Sequence, residues 1–573
     1  MINKVELGSV NSKNKSPNYV SIKSKNSAVH FDGLGDLALR GIQACEANPM
    51  VNVSVLDLST AILPRTFFET FIGSKQKDEN GEEHRKLNVF GGFEAFRRES
   101  SGLIINCLIP SFIVMGVAKL FNKPVMGDFA GSGLTKSWAN GEAISNVQRF
   151  YTSAIGADSE ERIYNTLKNM SGDIHGVDGA REKAFKDILA NDEVYDELVR
   201  KTAKGIVSGE KELYVSNYKF IENLKKFFGI KTYKNYTDDL YQYVVNKTGI
   251  SESIRFTGDK GYSTSSLKHL YDSTGDLLNG IVKTNIADNA DKVGEFFKKA
   301  NKLVNYKSAI GLGAFIIPLA ISAQPINRWI THKLAGKKGA PIYNDDKERI
   351  LTPEEKQKLN AQKCFAVPLM WGVAGLSMLM DRPSLKMFQF KNIFPTMDQA
   401  RIISAATFSS RIAASEDSSE LKENTIRDIA TFSSFYFLGD YAAKGIATYL
   451  ENHNKDGIKL INRLKESKDG ANIFEKFWNW AKHTKMKSTD ELSSIANEAL
   501  RTKAKTMRAW CQVGNLVFSL LSLGIFIPLY TRTQTNKKKQ LEAERTASAQ
   551  TSSVAFTQNL LKDKSPAFKS FFN

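Results

Sequence analysis

The sequence predicts a mostly α, multi-pass α-helical membrane protein with about four spans, two large helical inserts and an internal duplication. Three observations predict it. The chain has 24% charged residues, yet four stretches run without charge at near-membrane length. Each of those stretches contains proline. Two pairs of them share local wording, in the order A, B, A, B.

The chain has 573 residues and a formal net charge of +18. Such a balance favours anionic partners. No compact Lys/Arg run interleaved with aromatics stands out, so anionic lipid ranks above nucleic acid, which is disfavoured. The four cysteines form no CxxC pair and match neither a disulfide framework nor a zinc site. Residues 1–30 are rich in Asn, Ser and Lys, lack an apolar signal region, and are expected to be a disordered leader.

The N-terminal region 31–101 holds VSVLDLSTAILPRTFFETF at 53–71, apolar but broken by Asp57, Pro64, Arg65 and Glu69. That pattern predicts an amphipathic helix at a membrane surface or against a partner. KQKDENGEEHRK (75–86) is a solvated loop. Span 1 is placed at 102–121, span 2 at 309–327, span 3 at 364–380 and span 4 at 509–531. A spanning helix needs roughly 20 apolar residues, and a soluble core helix of that length would show charge on one face. Proline costs about 3 kcal/mol inside a soluble helix but is better tolerated where neighbouring helices satisfy the freed carbonyl. Pro110, Pro318, Pro368 and Pro528 are therefore candidate kinks.

The segments between the spans are helical inserts at 122–308 and 381–508, joined by a basic loop at 328–363. Residues 426–450 are apolar on one side but interrupted by Asp428, Asp440 and Lys444, which predicts a packed or interfacial helix rather than a fifth span. Few windows alternate strictly, so strand content should be low. The tail 532–573 is basic and then disordered.

The duplication rests on CLIPSFIVMGVA (107–118) against CFAVPLMWGVA (364–374), and on ISNVQRFYTSAIGADSEE (144–161) against IISAATFSSRIAASEDSSE (402–420). It would pair 95–335 with 355–540. The positive-inside rule puts both termini and the basic loop in the cytoplasm. Candidate lipid-headgroup residues are Arg97, Arg98, Arg328, Lys333, Lys337 and Lys338.

Catalytic constellations are absent from the sequence. GSGLTKS (131–137) misplaces the lysine for a phosphate loop, GLG (311–313) lacks a preceding strand, and HExxH and GxSxG do not occur. No cofactor or metal is expected, and the sequence leans away from an enzyme. The expected role is structural, tethering or assembly in the membrane, with a protein partner engaged through 140–300. A transporter or channel built from two repeats as a homo-oligomer is the first alternative. A soluble helical scaffold that buries the apolar helices is the second.

Overall fold

A computed structural model describes residues 49–72, 75–77, 83–85, 89–121, 132–178, 181–214, 233–258, 266–335, 351–379, 388–391, 394–465 and 470–527, with a few isolated positions besides. The leader 1–30, Lys337, Lys338, Pro528 and nearly all of the tail lie outside the described residues.

Two regions are built: a helical bundle, and a head at one of its ends. The bundle contains α1 (49–72), α2 (Val89–Phe121), α9 (Ala290–Leu334), α10 (Pro353–Leu379), α11 (Met397–Ala413), α12 (418–453) and α15 (Glu498–Phe526). The chain reverses between α1 and α2 through a short hairpin, β1 (Lys75–Lys77) with β2 (Glu83–Arg85). Helix α2 runs antiparallel to α9. The Phe121 and Tyr306 rings stack at 6.3 Å at the head end, and Arg97 donates to Thr331 at the far end. Helix α15 runs antiparallel to α12, with Ser434 facing Ser522 and Asn515 against Gly439.

Three helices, Val89–Phe121, Ala290–Leu334 and Glu498–Phe526, are long and apolar enough to cross a membrane. These contain the expected spans 1 and 2, and span 4 as far as Phe526. Span 3 lies in α10 and falls short. Its last residue, Met380, lies outside the described residues. About four spans therefore becomes three among the described residues.

The head is larger on its first side than on its second. Helices α3 (Gly141–Ser153), α4 (Ser159–Asp173), α5 (Phe185–Leu189), α6 (Glu193–Ser208), α7 (Asp238–Thr248) and α8 (Leu267–Lys283) pack with the start of α9 around Leu167, Phe185, Val199, Tyr271 and Phe297. Their starts are fixed chemically: Asn140, Asp158, Asp192, Ser266 and Asn289 each accept a backbone N–H of the first turn. A small antiparallel sheet, ordered β4 (Arg181–Ala184), β3 (Ile174–Asp178), β5 (Ile254–Phe256), closes one side. Within GSGLTKS, Leu134 joins this core. The Thr135 and Ser137 carbonyls both accept from the buried Lys307 ammonium at 2.9 Å.

The second side is smaller than the sequence predicts. Helix α11 carries almost no outward charge and is buried along most of its length, so it belongs to the bundle, as does the first half of α12. What remains at the head is β6 (Ile461–Arg463) paired with β7 (Thr484–Met486), α13 (Ile473–His483), α14 (Thr489–Ser493) and the start of α15. They pack on the end of α12 around Ala447, Leu460, Leu492, Ala504 and Cys511.

Proline shapes the bundle helices in a consistent way. Pro64, Pro110 and Pro318 each follow a π-helical stretch, at Asp57–Ile62, Ile104–Leu108 and Ala309–Ile316. A proline ring crowds the carbonyl four residues earlier and offers it no N–H. Widening the preceding turn relieves that crowding without ending the helix. Pro368 sits inside α10 without such a stretch.

Candidate functional site

The most distinctive site is a cleft, partly open to solvent, inside the far end of the bundle. It is lined by α1, α2, α9, α11 and α12. Its charged lining is balanced: Arg65, Arg98, Arg411 and Arg427 against Glu69, Glu94, Glu99 and Glu420. The small residues Gly91, Ala95, Gly102 and Ala323 leave the space open.

Three ion-pair groups organise the cleft. In the first, Glu99 lies 2.5 Å from Arg65 and 3.8 Å from Arg411, tying α2 to α1 and α11. In the second, Asp428, only 1% exposed, sits between Arg411 at 3.4 Å and Arg427 at 3.3 Å. In the third, the Arg97 fork donates to both oxygens of Glu94, at 2.9 and 2.6 Å, and reaches across to Asn327 and Thr331 of α9. Arg328 extends the array by pairing with Glu416 at 2.8 Å and with Glu420. One turn deeper, Thr407 donates to Asn106 at 2.8 Å. A buried carboxylate is tolerated only with such partners.

The six headgroup candidates are placed unequally. Arg97 and Arg328 turn inward to carboxylates, and Arg98 lines the cleft. Lys333 is exposed, its ammonium 4.4 Å over the Trp329 ring. Lys337 and Lys338 lie outside the described residues. Sequence reasoning missed Glu94, Glu99, Arg411 and Arg427 altogether. Arg65, Glu69 and Asp428 were visible as charges interrupting apolar helices, and that interruption was the available signal.

A second polar junction joins the two sides of the head. Glu491, 3% exposed, accepts from the backbone N–H groups of Ser251 at 3.0 Å and Glu252 at 3.1 Å through one oxygen. Its other oxygen accepts from Ser488 N–H at 3.0 Å and Asn462 Nδ2 at 3.3 Å. The Tyr241 hydroxyl donates to Asp490 at 2.8 Å beside it. Burial pushes the Glu252 carboxyl up to about 7, helped by Glu491 and Asp490 and opposed by Lys485 and Lys391. Burial likewise raises Glu491, against the pull of its backbone donors. His269 is pushed down to about 3 by burial and by Lys391, so it is neutral across the physiological range.

Among the described residues, no group of three His, Cys, Asp or Glu side chains is arranged to hold a metal ion. Comparison of the chain with family models, with curated proteins and with solved structures gives no match.

Proposed function

We propose that this chain is an integral membrane protein that crosses the bilayer several times and holds its helical head at one membrane face for a structural, tethering or assembly role. One observation supports this above the others. The bundle is reversed relative to a water-soluble core. Phe112, Phe365 and Phe526 are 67%, 71% and 64% exposed, while Glu94 and Asp428 inside it are 1% exposed. Only 28% to 33% of the most apolar windows of the three long helices is buried. A soluble scaffold would have covered them, so the soluble alternative loses ground.

Both sides of the head emerge at one end of the bundle, which suits a role that presents a surface. The basic last turn of α9, with His332 and Lys333, lies at the other end, and the positive-inside rule makes that end cytoplasmic. Helix α1 enters from the head end and α15 leaves at the far end, so residues 49 and 527 lie at opposite ends of the bundle. The termini themselves lie outside the described residues. Proteolysis within 336–350 from outside the cell would reverse the orientation.

The cleft favours the transporter reading as a second proposal, because ionisable groups inside a membrane bundle mark functional paths. Its balanced, paired lining offers no net charge to a solute ion, which weighs toward a structural network. The duplication also stands as a proposal. In its support, helices Gly141–Ser153 and Met397–Ala413 are each followed by an Asp-capped helix, at Asp158 and Asp417. Against it, Phe150 lies in the head core and Phe408 in the bundle core.

Alkaline carbonate extraction of the full chain tests insertion. Retention in the pellet with release only by detergent is expected. Release by carbonate would overturn the membrane reading. Reconstituted vesicles then separate the two roles: solute flux that Glu99→Gln abolishes would replace the structural role with a carrier.

A further inference from the structure

Helix α13, Ile473–His483, is strongly two-faced. At 100° per residue, Ile473, Phe474, Phe477, Trp478, Trp480 and Ala481 fall on one arc, and Glu475, Lys476, Asn479, Lys482 and His483 on the other. Its C-terminal turn is anchored. Ala481 is buried, and the Trp480 indole N–H donates to Thr448 Oγ1 at 3.1 Å while its ring packs 6.1 Å from Tyr441. The N-terminal turns leave their apolar arc bare. Ile473 is 84% exposed, Phe474 86%, Phe477 57% and Trp478 53%. Aromatic groups this large are costly to leave in water.

The height of this helix identifies what covers it. The Ser434–Ser522 and Gly439–Asn515 contacts set the register of α12 against α15. In that register Thr448 lies level with residues 506–508, immediately before the uncharged run of α15 begins at Ala509. Trp480 therefore sits at the boundary where the apolar layer begins, on the head side. Trp510 is 61% exposed at that level and Tyr449 is 61% exposed beside it. Tyrosine and tryptophan gather at such boundaries because their rings suit the headgroup region. The polar arc of α13 carries Lys476 and Lys482, which suit anionic headgroups.

We infer that α13 is an interfacial helix that lies on the bilayer at the head side, burying Phe474, Phe477 and Trp478 among lipid and setting Lys476 and Lys482 against anionic headgroups. The inference rests on the membrane reading above. It adds a lateral anchor: with α13 seated in the interface, the head is held against the membrane and cannot tilt freely about α12 and α15.

The test uses the full chain in vesicles of phosphatidylcholine and phosphatidylglycerol. Cys45 and Cys364 are replaced by serine, and the buried Cys107 and Cys511 are kept. Single cysteines are introduced as Phe474→Cys, Lys476→Cys and, in the apolar layer, Phe112→Cys, each carrying an environment-sensitive fluorophore. A label at 474 should be quenched about twofold or more by lipid bearing a nitroxide near the headgroup, and shielded from aqueous iodide, with the label at 476 the reverse. Quenching at 112 by a deep nitroxide reports insertion itself. If 112 is quenched and 474 is open to iodide, the interfacial helix is wrong and the membrane reading survives. If 474 is shielded from iodide but unaffected by lipid nitroxide, a protein surface covers it and lipid is overturned as the occupant. If 112 is not quenched, the membrane reading and this inference fail together.

Discussion

Glu491 offers the sharpest test of how the head is held together. Its carboxylate is the acceptor for four donors drawn from both sides of the head: Ser251, Glu252, Ser488 and Asn462. Glu491→Gln keeps one oxygen and turns an NH₂ group toward the other two donors. An orphaned buried donor costs about 1–3 kcal/mol, so two of them cost about 2–6 kcal/mol. Removing a charge that burial already disfavours offsets part of that, which leaves about 2–4 kcal/mol. By the rule of about 1.4 kcal/mol per decade, local opening should rise about thirtyfold or more. Hydrogen exchange of the full chain in detergent reads this directly. Amides of β5, β6, β7 and α14 should lose protection together, while those of α4 and α11 keep theirs. Protection at β6 and β7 within about threefold of the native chain would refute the idea that one carboxylate joins the two sides.

Three further outcomes are expected. Asp428→Asn should lower stability by about 3 kcal/mol, because it removes the buried carboxylate that Arg411 and Arg427 share and leaves Arg411 with Glu99 at 3.8 Å. A double-mutant cycle with Arg411→Met should recover much of that loss in the thermal midpoint, and strict additivity would argue against the pairing. Glu252 and Glu491 both have folded-state values raised above the ordinary carboxylate value, so the folded head binds more protons than the unfolded chain. Their contribution is present below about pH 4.5 and is lost as pH climbs toward about 7. The thermal midpoint of the head should therefore fall between pH 5 and pH 8, and Glu252→Gln should flatten that fall. Gly156→Ala would set a methyl 2.4 Å from the backbone nitrogen of Arg162, which a side-chain rotation cannot relieve. A loss of about 1–3 kcal/mol is expected, and an unchanged midpoint would show that the loop before α4 yields.

The apolar runs at 102–121, 309–327 and 509–531 were legible because uncharged stretches of that length stand out in a chain so rich in charge. The head helices were legible as amphipathic patterns, and their starts follow Asp, Asn and Ser caps that are plain in the sequence. Helix α1 was harder. Asp57, Arg65 and Glu69 argued for a surface helix when read along one segment, yet in the fold Arg65 pairs with Glu99, and Glu69 lines the cleft with Arg98 and Arg411. Helix α11 misled in the opposite way. It falls within the insert expected at 381–508, but Arg401 donates to the Tyr436 carbonyl and Ser404 pairs with the Tyr436 hydroxyl. The cleft could not be assembled from sequence, because Arg65, Glu99, Asn327, Arg411 and Asp428 come from five helices. What sequence does show is that a charge inside an apolar helix needs a partner, without showing which one.

Pro325 shows how such a partner is recruited by the backbone itself. It lies inside α9, where its missing N–H leaves the Ile321 carbonyl without its helical donor. The Ser410 hydroxyl of α11 donates to that carbonyl. The proline and the serine therefore act as one unit, the proline opening an acceptor on α9 and the serine closing it from α11. Ser410→Ala alone should cost about 1–3 kcal/mol, because the part-buried Ile321 carbonyl loses its donor. Pro325→Ala restores an N–H and closes the ladder within α9, so in that background Ser410→Ala should cost almost nothing. A thermal-unfolding cycle over the four chains measures the coupling. Equal costs of Ser410→Ala in both backgrounds would mean that the hydroxyl only fills space. Loss of the cost in the Pro325→Ala chain would mean that the proline locks α9 to α11, a purpose beyond bending the helix.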